Sequence, residues 1–126
     1  MEKKAVLLLI VVDDQLRSLV SMRLGRRGHI VVCTSALEAG VDLARRRRYN
    51  VVMAELSLAQ AYGRPMLERL QKAASKAPLL LLGSGTAAFP ASGRYYGFQV
   101  LRADGASGAL NLQTAVETAI ADRPPA

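Results

Sequence analysis

The chain has 126 residues, enough for one domain with a core of its own and without covalent staples. Hydrophobic residues make up 51% and charged residues 21%, which excludes a disordered segment. No stretch reaches the roughly 20 apolar residues that span a bilayer, and a net charge of +7 suits an acidic partner such as nucleic acid, an acidic protein surface or lipid headgroups.

The opening MEKKAVLLLIVVDD has the basic start and apolar run of a signal peptide. The run ends in Asp13-Asp14 with no small-residue cleavage site, so it reads as a buried first strand, Ala5–Val12, and the chain is expected in the cytoplasm. Gln15–Arg27 reads as an amphipathic helix with Leu16, Leu19, Val20 and Leu24 on one face, stopped by Gly28. Gly25 inside it costs about 1 kcal/mol against alanine, with no reason visible in the sequence. His29–Thr34 is a second strand. Its lone Cys33 cannot form an internal disulfide and reads as a small buried hydrophobe. His29 has no second ligand nearby and reads as structural.

Ser35-Ala36-Leu37-Glu38 matches a capping box, which predicts a second helix. Arg45–Arg48 would end it, where cations suit the helix dipole. Neither a helix-turn-helix nor a stacking platform accompanies these arginines, so nucleic acid is not an expected partner of this domain. Asn50–Leu56 is a third strand, Arg64–Ser75 a third helix, Pro78–Leu82 a fourth strand, Phe98–Leu101 a fifth and Leu110–Ala121 a last helix. Residues 1–121 form the domain. The tail 122–126, with Pro124-Pro125, reads as a helix stop and the start of a linker.

Five strands alternating with helices predict an α/β fold with a mostly parallel sheet covered on both faces. Gly83–Gly97 has no helical periodicity, so the fourth helix is expected to be missing or reduced to a turn. In such sheets sites form where the strands end. That edge collects Asp13 and Asp14 after strand 1, Glu55 at the end of strand 3, Gly83-Ser84-Gly85-Thr86 after strand 4 and Arg102 after strand 5. Three carboxylates on one edge need a cation between them, for which Mg²⁺ is the natural candidate, a raised pKa on one of them, or a basic neighbour such as Arg102. The glycine-rich loop could cradle an anion with its N–H groups, although no GK[ST] follows it.

LLIVVDD with its acidic pair, NVVMAE with its terminal carboxylate, and Gly63 eight residues after Glu55 together make a pattern over nearly the whole chain. In it the sequence resembles a response-regulator receiver domain, the CheY-like, phospho-accepting module of two-component signalling. The resemblance implies a flavodoxin-like three-layer sandwich with strand order 2-1-3-4-5. In that family Mg²⁺ sits between the acidic pair and an acceptor aspartate, and a Thr or Ser after strand 4 and a Lys after strand 5 bind the phosphoryl group. Asp13 and Asp14 match the acidic pair. The acceptor position holds Glu55, the hydroxyl position Gly83 with Ser84 beside it, and the lysine position Arg102; the prolines usual after the acceptor and the lysine are Ala59 and Ala103.

The resemblance therefore implies a receiver framework without its phosphorylation chemistry. Such a domain is not an enzyme. It acts by binding a signalling protein or a fused output domain, and a Glu55–Arg102 pair would hold its site in one state. It needs no cofactor, or binds Mg²⁺ weakly through Asp13, Asp14 and Glu55. Tyr95, Tyr96 and Phe98 fall on the face from strand 4 to helix 5 where receivers dock or dimerise, and they either form an interface or fill the gap of the missing helix. The alternatives are a working receiver accepting phosphate at an atypical site, and a flavodoxin-like binder of a small anion or nucleotide.

Overall fold

The computed structural model describes residues 5–75, 77–85 and 89–122. Six strands form one sheet in the order β2-β1-β3-β4-β6-β5. They are β1 (Val6–Ile10), β2 (Ile30–Thr34), β3 (Val51–Glu55), β4 (Leu79–Gly83), β5 (Arg94–Tyr95) and β6 (Phe98–Arg102). All neighbours pair in parallel except β5, which runs antiparallel to β6. With β6 as the expected fifth strand, the parallel part has the order 2-1-3-4-5.

The central strands are apolar throughout because both of their faces are covered. Leu8, Ile10, Val52, Ala54 and Leu81 face one core. There they meet the helices α2 (Leu37–Arg46), α3 (Leu56–Tyr62) and α4 (Arg64–Ala73). Leu7, Leu9, Val51, Met53 and Leu82 face the other, against α1 (Asp14–Arg26) and α5 (Gly105–Asp122). The alternation of side chains along a strand thus assigns successive leucines to opposite layers.

Several expectations are corrected. The helix α3 is additional to the expected elements and takes Leu56 from the expected third strand, since Leu56 and Ala59 bury themselves against the core at once. Gly63, at φ 76°, breaks it from α4, and Pro65 fits the first turn that follows. The stretch where the fourth helix was expected to be missing or reduced to a turn holds no helix among its described residues, and it adds a strand that was not expected, in a β5–β6 hairpin. Tyr96 and Gly97 turn it with φ 49° and 84°, the two positive values that a two-residue type I′ turn demands. The capping box at Ser35 does not form: Ala36 is the N-cap residue of α2, without a side-chain bond. Glu38 turns instead to Arg69 on α4, which grips it with two bonds of 2.6 and 2.7 Å. That guanidinium holds the Glu38 carboxyl below its ordinary value. Cys33 is exposed, because β2 is an edge strand. His29 is buried at the start of β2. The α5 helix runs through Asp122; Pro124-Pro125 lies outside the described residues. No helix among the described residues is long and apolar enough to cross a membrane.

Two glycines of the helices make opposite demands. A Cβ at Gly25 would meet nothing within 4 Å, whereas one at Gly108 would lie 2.8 Å from the Arg102 carbonyl oxygen. That close approach seats the start of α5 on the end of β6. In urea melts, Gly25→Ala is expected to stabilise the fold by about 0.5–1 kcal/mol, and Gly108→Ala to destabilise it by roughly 1–3 kcal/mol. Equal effects of the two changes would contradict this packing.

Candidate functional site

The register of the sheet brings the anticipated residues to one edge. Ile10 pairs with Ala54, Glu55 with Leu82, and Gly83 with Arg102. Asp13 and Asp14 follow β1 on the same edge. Glu55 ends β3 at the N-cap position of α3, and its side chain turns back across the strand ends toward β1. Its Oε1 accepts from the backbone N–H of Val12 at 2.8 Å and of Asp13 at 3.1 Å. Its Oε2 accepts from the Ser57 hydroxyl at 2.9 Å. The two amides lie past the end of β1, where the strand ladder no longer supplies acceptors, and the Glu55 carboxylate supplies them.

The acidic pair is likewise engaged. Asp13 caps α1, its Oδ1 accepting from Leu16 N at 2.8 Å. Asp14 forms an ion pair with Arg17, one turn further along α1. Arg17 Nη1 also donates to the carbonyls of Val11 at 2.8 Å and Val12 at 3.3 Å.

The other half of the edge closes separately. Arg102 Nη1 donates to Gly85 O at 2.9 Å and to Asp104 Oδ1 at 3.3 Å, and its guanidinium lies 4.3 Å from the centre of the Phe89 ring. Gly85 N donates to Asp104 Oδ2 at 2.9 Å. The Gly85 N–H holds the Asp104 carboxyl below its ordinary value, and Arg102 adds to the effect. The expected Glu55–Arg102 pair is therefore not made. Arg102 sits opposite Gly83 in the register, beside the loop after β4, and Asp104 is the carboxylate within its reach. Gly83 O accepts from Ala103 N at 2.9 Å, and Ser84 continues the same loop. Thr86, the last residue of the glycine-rich stretch, lies outside the described residues.

Several solved structures with this architecture are described as response regulators or receiver domains. A putative response regulator from Chloroflexus aurantiacus J-10-fl matches with a TM-score of 0.75 at 17% identity, over 94% of this chain and 99% of that one. The chemotaxis response regulator CheY4 of Vibrio cholerae matches with a TM-score of 0.63 at 17% identity, over 93% and 99%. The fold is that of a response-regulator receiver domain. NtrX from Brucella abortus, TM-score 0.76 at 18% identity, matches over 94% of this chain but only 26% of its own, so there the receiver fold is part of a longer protein. No family model matches the chain, and no curated protein matches it in sequence.

Receiver domains in general bind Mg²⁺ at the phosphorylation site. In this receiver fold the residues, as arranged, do not fit the ion. Among the described residues no three carboxylate, imidazole or thiol groups converge on one point. Asp13, Asp14 and Glu55 each face a different donor of the protein.

The structure divides the three aromatics. Tyr95 and Phe98 are partly buried and pack against the core. Tyr96 stands out at 59% exposure, edge-on to Tyr95. Arg45–Arg48 are exposed and lie away from the site, where the strands begin. Arg46 pairs with Asp42 at 2.9 Å, and Arg47 lies over Tyr49.

Sequence reasoning missed Arg17, Ser57 and Asp104. Each had a signal in its spacing: a cation three residues after Asp14, a hydroxyl two after Glu55, and an acid two after Arg102. The Asp104 contact carries a pH dependence. Because the folded carboxyl lies below its ordinary 3.8, the stability it confers is complete above that pH and is lost as pH falls through the lower, folded value. The Gly85 amide resonance should titrate with a midpoint below 3.8, and Asp104→Asn should abolish that titration. A midpoint at or above the ordinary value would refute the contact.

Proposed function

We propose that this chain is a receiver-like signalling domain that accepts no phosphoryl group and works by binding another protein of a two-component-type pathway, free or fused as an output domain. The observation that carries this reading is the state of Glu55: both oxygens of its carboxylate are already bonded to the protein. Phosphoryl transfer needs a carboxylate oxygen held free and in line with the donor. Here Oε1 is drawn toward β1 by two amides, and Oε2 is occupied by Ser57. The groups that would receive the phosphoryl oxygens are altered too. Gly83 has no hydroxyl, and Arg102 is engaged with Gly85 and Asp104.

Binding is then the remaining work of the fold. The exposed Tyr96, at the tip of a hairpin on the strand 4 to helix 5 side, is the aromatic best placed to meet a partner or a second copy of the chain. Exposure of the unpaired Cys33 suits a reducing, cytoplasmic setting. The working-receiver alternative keeps only the acidic pair in its favour, and that pair is spent on a helix cap and an ion pair. Incubation with acetyl phosphate and Mg²⁺, read by intact mass, is expected to leave the protein unmodified. A phosphoryl adduct that maps to Glu55 would overturn the proposal.

A further inference from the structure

The acidic edge carries its own cation. On the β1 side of that edge one guanidinium meets three oxygen acceptors, the Asp14 carboxylate and the carbonyls of Val11 and Val12. Carboxylate and carbonyl oxygens are also the donors that a hard divalent ion seeks. We infer that Arg17 is the resident cation of this edge, and that it excludes Mg²⁺ from oxygens the receiver fold would otherwise offer to the metal.

Three features of the chain support the assignment. The first is position: Arg17 lies one helical turn from Asp14, where i,i+3 side chains meet. The second is the fit of the group. A guanidinium presents several N–H donors in a rigid fork, so one side chain can serve a carboxylate and two carbonyls at once. The Arg17 side chain keeps only 24% exposure while Asp14 keeps 86%, so the cation lies against the protein and the carboxylate comes to it from solvent. The third is the condition of the other two carboxylates. Asp13 is turned to Leu16 N and Glu55 to the amides of Val12 and Asp13. A metal ion would have to displace the guanidinium, uncap α1 and release two backbone amides together. A tethered cation also faces no loss of translational freedom, unlike an ion drawn from solution.

This inference rests on the receiver-like reading of the edge, but it fails separately from the proposed function. The test is an amide NMR titration with Mg²⁺, repeated with Mn²⁺ as a paramagnetic probe, on the native chain and on Arg17→Gln. The native chain should show no saturable shift or local broadening at Asp13, Asp14 and Glu55 up to millimolar ion. Arg17→Gln should gain saturable binding centred on Asp14, at least tenfold tighter than any native response. Arg17→Lys keeps the charge but not the fork. It should bind the ion less well than Arg17→Gln, and Arg17→Met, which also removes the charge, serves in place of Arg17→Gln if that variant does not fold. Saturable binding by the native chain at these residues would overturn the inference, as would a folded Arg17→Gln (or, in its place, a folded Arg17→Met) with no more affinity than native. Native metal binding without a phosphoryl adduct would remove the Arg17 assignment alone. An adduct on a chain that shows no native metal response would remove the proposed function alone.

Discussion

The Glu55 carboxylate ties the end of β3 to the end of β1 through the amides of Val12 and Asp13, and the arrangement of the edge follows from that tie. Hydrogen bonds to a charged group are stronger than those between neutral groups, and two amides hold this one carboxylate oxygen. With those amides taken, the Asp13 carboxylate is free to cap α1. The start of α1 in turn sets Arg17 beside Asp14 and the β1 carbonyls. An aspartate at position 55 would be shorter by one methylene and would reach the two amides less well. The longer side chain is what lets the edge close on itself.

The edge is closed in two separate halves. The β1–β3 half consists of Glu55, Asp13, Asp14, Arg17 and Ser57. The β4–β6 half consists of Arg102, Asp104 and the Gly85 backbone, with Phe89 beneath the guanidinium. In the family that this chain resembles, a phosphoryl group bridges residues of strands 3, 4 and 5. Here the strand 4 and strand 5 groups already hold each other. Gly85, two residues after β4, is held toward β6 by Arg102 and Asp104.

Much of the fold was legible from the chain because buried parallel strands announce themselves as apolar runs. VLLLI, VVMA and LLLL could be read as strands with little competition, and their alternation with amphipathic stretches implied the order 2-1-3-4-5. Features decided by local competition were harder to read. Ser35 and Glu38 have capping-box spacing, but a guanidinium on α4 offered Glu38 two charged bonds in place of one end amide. LSLAQAY is too short and too mixed to show a period, so the sequence does not announce α3. Tyr96-Gly97 is a turn signal, yet a tyrosine at positive φ is uncommon enough that the hairpin was not anticipated. The site residues themselves were found because the fold places them at strand ends. Their pairing was not, since Arg102 and Glu55 end strands separated by β4, and nearer partners captured each of them.

The central claim is that the acceptor-position carboxylate is satisfied by backbone amides of the neighbouring strand end. A long-range HNCO experiment, which detects couplings across hydrogen bonds, measures this directly on labelled native protein. Correlations from the Val12 and Asp13 amide nitrogens to the Glu55 side-chain carboxyl carbon are the predicted result. Amides of Val12 and Asp13 that show no such coupling and exchange freely with water would mean that the carboxylate is open, and the account of a closed edge would be wrong.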